Sequence, residues 1–147
     1  MENVRIYEIP ACRMVSSGSG MFGDGVLEAF MEWMDAQPRT MFPRDFLFFD
    51  GQGFVWYYVY EEGMSVPDSL EIVDFAGGLY AVASGRDGDE ADAAAAKAAI
   101  QTFIEDRGCF ERDLSRPELG NIITPPSAQQ AMGYAQMDYY VPVCVKK

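Results

Sequence analysis

A chain of 147 residues, 49% hydrophobic and 23% charged, is long enough to bury the core of one globular domain and too apolar to be disordered. Its formal net charge of −12 argues against nucleic acid or an anionic membrane surface as a direct partner, because both require clustered Lys and Arg. The sequence has no histidine, which excludes Ser-His-Asp triads, Cys-His pairs and histidine metal sites.

The termini and the cysteines carry no sign of export or of a metal site. The polar start Met1-Glu2-Asn3 does not resemble a signal peptide, and no apolar run approaches the about 18 residues of a membrane span. Cys12, Cys109 and Cys144 lack C-x-x-C spacing, which indicates reduced thiols. We therefore expect a cytoplasmic protein without metal or cofactor, in which carboxylates, Tyr, Lys or Cys would have to supply any acid–base chemistry.

The first half of the chain predicts a strand-helix-strand-strand unit. Its elements are a strand, a Gly-Ser loop, a helix and two more strands, at residues 4–16, 17–20, 25–37, 46–49 and 54–60. The helix follows from apolar residues at helical spacing, with Asp24 as its N-cap and Pro38 as its stop. Asp50-Gly51-Gln52-Gly53 joins the last two strands and is typical of a hairpin.

The second half predicts the same order of elements again. They are a strand, an Ala-rich helix, a short strand, a turn-rich stretch and a final strand, at residues 70–84, 91–107, 119–124, 125–133 and 134–145. This repetition, over about residues 1–62 and 70–145, predicts one α+β domain spanning 1–147. The expected fold is a pair of duplicated β-α-β-β units forming a pseudo-two-fold antiparallel sheet with two helices and a central cleft.

The strand at residues 54–60 is the most aromatic segment and the first candidate binding surface. Trp56 and Tyr58 share one face of it, because side chains alternate along a strand. Such a face holds planar ligands by stacking and cations by attraction to the rings, at roughly 0.5–2 kcal/mol for each cation contact. Ordinary core packing explains the same pattern equally well.

Three further apolar residues lie near the first predicted helix. Trp33 falls off the strongest apolar line of that helix, where it either roofs a cleft or covers the edge of the core. Met21 and Phe22 follow the Gly-Ser loop and are candidates for the lip of a binding site. All three are therefore candidate ligand-binding residues.

Two short strings in the second half resemble a known family. Gly77-Gly78-Leu79-Tyr80-Ala81-Val82 and Asp138-Tyr139-Tyr140-Val141-Pro142-Val143, in this order of elements, resemble the GyrI-like small-molecule-binding domain, or AraC-type effector-binding domain, of regulators such as BmrR and Rob. The resemblance covers essentially the whole chain. It implies an aromatic-lined pocket between the halves for lipophilic cations or other amphipathic compounds, with Tyr80 and Tyr140 among its ligand-binding residues.

The sequence departs from that family in two respects. No room is left for a helix-turn-helix, so the resemblance points to the stand-alone form. The family's buried glutamate, on the short strand before the final hairpin, aligns nearer Gly120 than Glu118. Glu118 shares a strand face with position 120 by parity, so it is either the pocket carboxylate or a solvated residue at the strand end.

Three functional hypotheses follow. The first is a binding module for aromatic, amphipathic and preferably cationic small molecules, used to sequester or sense drugs or toxins. The second, which the resemblance implies, is a hydrolase of strained electrophiles such as cyclopropane-bearing alkylators, in which Glu118 activates water and tyrosines orient the substrate. The third is an interaction with a protein such as gyrase. Either a monomer or a homodimer is compatible with the sequence.

Overall fold

The computed structural model describes residues 3–147, which form nine strands and three helices. The strands are β1 (Arg5–Ile9), β2 (Cys12–Gly20), β3 (Asp45–Phe49), β4 (Phe54–Val59), β5 (Glu71–Phe75), β6 (Gly78–Arg86), β7 (Phe110–Arg112), β8 (Leu119–Ile122) and β9 (Gln136–Val145). The helices are α1 (Val26–Asp35), α2 (Glu90–Arg107) and α3 (Pro126–Met132). The strands pair antiparallel, which confirms the predicted α+β class; α3 and β7 were not predicted.

The chain divides into two compact units that differ from the predicted repeats. The first unit comprises residues 10–77, and the second comprises residues 3–9 together with 78–147. The difference arises at the N-terminus, because β1 pairs with β6 of the second half. A single domain over residues 1–147 stays a prediction.

In the first unit, the strands run in the order β3-β4-β2-β5, and α1 packs on β2 and β4. Helix α1 buries Leu27 and Phe30 against them. The prediction of Asp24 as N-cap is wrong, since Gly25 occupies that position with φ 96°. The Asp24 carboxylate instead accepts hydrogen bonds from the backbone N–H groups of Met21 (2.8 Å) and Val26 (2.9 Å), and so fixes the turn before the helix.

The predicted Gly-Ser loop at residues 17–20 is also wrong, because β2 continues through it to Gly20. A bulge between Ser16 and Ser19 absorbs the irregular residues. The hydroxyl group of Ser17 accepts the backbone N–H of Trp56 at 2.9 Å, so a side chain replaces a carbonyl in the β2–β4 ladder. The Gly and Ser content of this segment does not predict that a side-chain oxygen takes the place of a backbone acceptor.

In the second unit, the strands run β1-β6-β9-β8, with β7 also paired to β9. Helix α2 covers one face of this sheet and forms the core with it. The small side chains of Ala81 and Ala83 on the sheet meet Ala96, Ile100 and Ile104 of the helix. These alanines permit a close approach of the helix to the sheet. Because side chains alternate along a strand, Tyr80 of β6 and Tyr140 of β9 lie on the opposite face, which points away from α2.

Two further expectations need correction. The strand predicted at residues 70–84 is two strands, β5 and β6, which belong to different units. It breaks at Gly77 (φ 71°) and Gly78 (φ 132°), where the backbone adopts conformations that L side chains rarely enter. The turn-rich stretch at residues 125–133 contains α3, because its prolines begin a helix and Gly133 ends it.

Three observations limit the kinds of site that the described residues offer. Within residues 3–147, no helix is long and apolar enough to cross a membrane. No group of three or more Cys, Asp or Glu side chains in that part of the chain lies close enough to hold a metal ion. Cys12, Cys109 and Cys144 are free thiols.

Candidate functional site

Most of the predicted ligand-binding residues gather on the α1 side of β4 in the first unit. We call this set of rings the aromatic face: Phe22, Phe30, Trp33, Phe54, Trp56 and Tyr58. Phe22 contacts Trp56 with ring centroids 6.3 Å apart, and Phe30 approaches Trp56 at 6.2 Å. Trp33 meets Tyr58 edge-on at 5.6 Å. The structure therefore brings together Phe22, Trp33, Trp56 and Tyr58, as the sequence suggested.

The aromatic face is open at one side and anchored at the other. Phe22 is 52% exposed, and its neighbour Met21 is also exposed, which suits the predicted lip. Trp33 is half-buried, and its indole N–H donates to the backbone carbonyl of Ser65 at 3.1 Å. Because Phe30 is fully buried beneath these rings, the inner part of the face is rigid core and its rim is accessible.

A carboxylate that the sequence did not predict, that of Asp45 on β3, lies beside these rings. Asp45 lies directly opposite Tyr58 in the β3–β4 ladder, and residues paired in this way share a sheet face. The Trp56 indole N–H donates to Asp45 Oδ2 at 2.9 Å. The hairpin turn gave a usable signal, since the register that pairs Asp50 with Gly53 runs on to place Asp45 opposite Tyr58.

The charge of Asp45 has no counter-ion in the first unit. Among residues 3–147 no basic side chain forms an ion pair with it; the adjacent Arg44 is held by Glu61 at 2.6 Å. Burial raises the pKa of Asp45, while the hydrogen bond from Trp56 opposes that rise and the nearby charge of Asp35 adds to it. A half-buried, uncompensated carboxylate beside aromatic rings favours a bound cation.

The predicted tyrosines form a separate cluster in the second unit. We call it the tyrosine face: Tyr7, Tyr80 and Tyr140, on the side of the sheet away from α2. The ring centroid of Tyr140 lies 6.1 Å from that of Tyr80 and 6.3 Å from that of Tyr7. Burial raises the pKa of Tyr140 to about 12, with the charge of Asp138 adding to the effect and a hydrogen bond with Asn121 opposing it.

Arg116 fixes the position of Tyr80. Its guanidinium carbon lies 4.7 Å from the centre of the Tyr80 ring, and its Nε donates to Asp113 at 2.8 Å. The close packing explains a glycine of the matched motif, because a Cβ on Gly78 would lie 2.5 Å from Arg116 Nη1. Burial raises the pKa of Tyr80, and the guanidinium of Arg116 opposes that rise.

Glu118 lies apart from both clusters. Its side chain is 49% exposed, it precedes β8, and its Oε1 is 4.0 Å from Arg112 Nη1. Gly120 lies opposite Tyr139 and so faces the α2 side, whereas Leu119 and Asn121 carry the β8 side chains of the tyrosine face. The pocket and catalytic roles of Glu118 stay predictions, and Asp45 is the carboxylate found among aromatic rings.

No protein-family model matches this sequence, and no characterised protein is significantly similar to it. Solved structures do share its fold. The EcmrR C-terminal domain is 14% identical over 96% of both chains, with a TM-score of 0.62. A hydrolase from Listeria innocua is 13% identical, with 97% of this chain and 93% of that chain covered and a TM-score of 0.67.

Two further structures extend the comparison. SAV2435, bound to tetraphenylphosphonium, is 10% identical, covers 98% of this chain and 94% of its own, and has a TM-score of 0.54. EcmrR in its DNA complex is 14% identical with a TM-score of 0.64, and this chain spans 56% of that chain. At these identities the likeness establishes the fold alone, and it agrees with the fold that the sequence resemblance implied.

Proposed function

We propose that this protein binds aromatic, amphipathic small-molecule cations on the aromatic face, with Asp45 as the counter-charge. The observation that carries the proposal is the Asp45 carboxylate, which accepts the Trp56 indole N–H at 2.9 Å and has no basic partner among the residues that the structure describes. The biological role would be to sequester or sense such compounds.

The chemistry of the face favours a cation over a neutral or anionic ligand. The carboxylate is partly removed from water, so a charge brought close to it is poorly screened. The faces of Trp56 and Tyr58 add about 0.5–2 kcal/mol for each cation contact. The net charge of −12 repels anions at longer range.

The comparisons supply a probe for this proposal. SAV2435, whose fold this chain shares, was solved with tetraphenylphosphonium, a lipophilic aromatic cation. We take that ligand class as the starting point for this chain. Ligand contacts of Tyr80, Tyr140 and Glu118, and the central cleft, stay predictions.

The test is a set of titrations with three probes of similar size and different charge: tetraphenylphosphonium, triphenylphosphine oxide and tetraphenylborate. Both tryptophans of the sequence, Trp33 and Trp56, lie on the aromatic face, so their fluorescence reports on this surface. We expect saturable quenching by the cation, weaker quenching by the neutral oxide and none by the anion. Asp45→Asn should lose the preference, and the control Glu118→Gln should keep it. Equal binding of cation and anion would contradict the proposal.

A further inference from the structure

Three aromatic rings at one end of the β3–β4 hairpin form a cluster that is open to solvent. Phe22 is 52% exposed and Phe49 is 55% exposed. Both rings contact that of Phe54, with centroid distances of 5.5 Å and 5.3 Å. We call these three rings the apolar end. Clustered and exposed apolar side chains commonly mark a binding surface, and a cation held only at Asp45 does not account for the exposure of Phe49.

The β3–β4 register places the apolar end and Asp45 on the same face of the sheet. Asp45, at the first position of β3, pairs with Tyr58 of β4. Phe49, at the last position of β3, pairs with Phe54 in the same uninterrupted ladder. Side chains alternate along a strand, so these two residues of β3 point to one face. Four residues of extended chain separate them, which places their Cα atoms about 13 Å apart.

A row of rings joins the charge to the apolar end. The Asp45 carboxylate accepts the Trp56 indole N–H at 2.9 Å, and the Trp56 ring lies 6.3 Å from that of Phe22. Within residues 10–77, helix α1 packs on β2 and β4 and not on β3, so the helix leaves the β3 side of this row uncovered. The surface therefore has a carboxylate without a basic partner among the described residues at one end, and exposed aromatic carbon at the other.

We propose that this surface selects elongated cations, whose charged head lies at Asp45 and whose apolar tail extends along β3 to the apolar end. The inference rests on the proposed function and adds the shape of the ligand to it. A compact cation occupies the charged end and leaves the rings of the apolar end in water. An elongated cation also removes apolar surface of both partners from water, which favours its binding. Phe49 is then the residue that selects the length of the ligand.

Two isomeric quaternary ammonium ions test the inference by calorimetry, below the concentration at which the longer one forms micelles. Decyltrimethylammonium and butyltripropylammonium have the same composition and charge, but only the first is long enough to reach from Asp45 to Phe49. We expect it to bind about tenfold more tightly, which corresponds to the burial of about two additional methylene groups. Equal affinities that Asp45→Asn still weakens would overturn the inference and leave the cation site intact. If neither isomer binds, the cation site itself is wrong and the inference falls with it.

Two variants test whether Phe49 is the residue responsible. Phe49→Ser should bind both isomers equally and keep the wild-type affinity for the compact one, because it removes only the ring that the tail contacts. The control Val145→Ser changes a strand residue of similar exposure (57%) in the second unit and should keep the preference. A preference that survives in Phe49→Ser would contradict the inference. A wild-type dimer that Phe49→Ser dissociates in sedimentation would also overturn it, because the apolar end would then be an interface between two copies.

Discussion

Replacement of Asp45 by Asn should weaken cation binding and stabilise the fold at the same time. The substitution removes the charge but keeps an oxygen that can accept the Trp56 indole N–H, which donates to Asp45 Oδ2 at 2.9 Å in the wild-type chain. A purely structural Asp45 would behave differently, because loss of its charge would then remove a stabilising interaction. The pair of effects therefore distinguishes a binding residue from a structural one.

The magnitude of the binding effect follows from the geometry. A cation in contact with the Trp56 ring lies about 6 Å from the ring centroid, and Asp45 lies within hydrogen-bond distance of that indole. Because the carboxylate bonds to the edge of the ring and the cation lies over its face, the two charges are about 8 Å apart and attract by about 2 kcal/mol at an effective dielectric constant of about 20. That energy corresponds to about 30-fold in affinity, and salt screening at the exposed rim lowers it. We expect Asp45→Asn to lose about 10- to 30-fold in affinity for tetraphenylphosphonium, measured by calorimetry.

The stability effect has the opposite sign. Burial raises the pKa of Asp45 in the folded state above its unfolded value, so the protonated carboxyl is the form that the fold prefers. The stability from that preference is complete below the unfolded pKa and is lost as the pH rises through the folded pKa. Above that folded pKa the wild-type chain folds with an ionised carboxylate that has no basic partner among residues 3–147.

Thermal unfolding between pH 3 and pH 8 measures this difference. Asp45→Asn should unfold at a higher temperature than the wild type at pH 7, and the two melting temperatures should converge at pH 3, where both side chains are neutral. A variant that is less stable at pH 7 and retains its affinity for tetraphenylphosphonium would refute the reasoning.

Three further outcomes are expected. Cation affinity should fall as the pH is lowered through the raised pKa of Asp45, with proton release on binding detectable by calorimetry in buffers of different ionisation enthalpy. Gly78→Ala should destabilise the protein by about 2–4 kcal/mol in urea melts, because φ is 132° and the new Cβ would collide with Arg116, whereas the open Gly88→Ala should cost about 1 kcal/mol. Glu118→Gln should change cation affinity by less than about twofold, because screening leaves little of the effect of a half-exposed charge; a larger loss in titrations would restore Glu118 to the site.

The sequence predicts the elements that local chemistry determines. The helix at residues 91–107 is confirmed as α2, because alanine has high helix propensity and Gly108 ends the helix with φ 68°. The hairpin at Asp50 to Gly53 is confirmed for the same kind of reason, since Gly51 supplies the positive φ of the turn. Both depend on residues close together in the chain.

The remaining features depend on contacts that are distant in sequence. The partner of β1 is β6, between 69 (Ile9 to Gly78) and 77 (Arg5 to Val82) positions along the chain, and no local pattern specifies that pairing. The helix α3 was missed because its Pro and Gly residues also suit turns. The alternation of side chains along a strand predicted that Glu118 shares a face with position 120. Strand β8 begins only at Leu119, so Glu118 lies outside the strand and the alternation does not determine its direction.

The carboxylates of the two units differ in whether they have a basic partner, although both units pack a helix on antiparallel strands. In the first unit, β3 carries Asp45, which accepts the Trp56 indole N–H and has no basic partner among the residues that the structure describes. In the second unit, β8 carries Asn121, which lies opposite Asp138 of β9, and the Asp138 carboxylate forms an ion pair with Arg5. A carboxylate without a basic partner attracts a cation, whereas a carboxylate that a guanidinium already neutralises offers a second cation little electrostatic gain. The cation site that we propose therefore depends less on the number of acidic residues than on which of them lacks a basic partner.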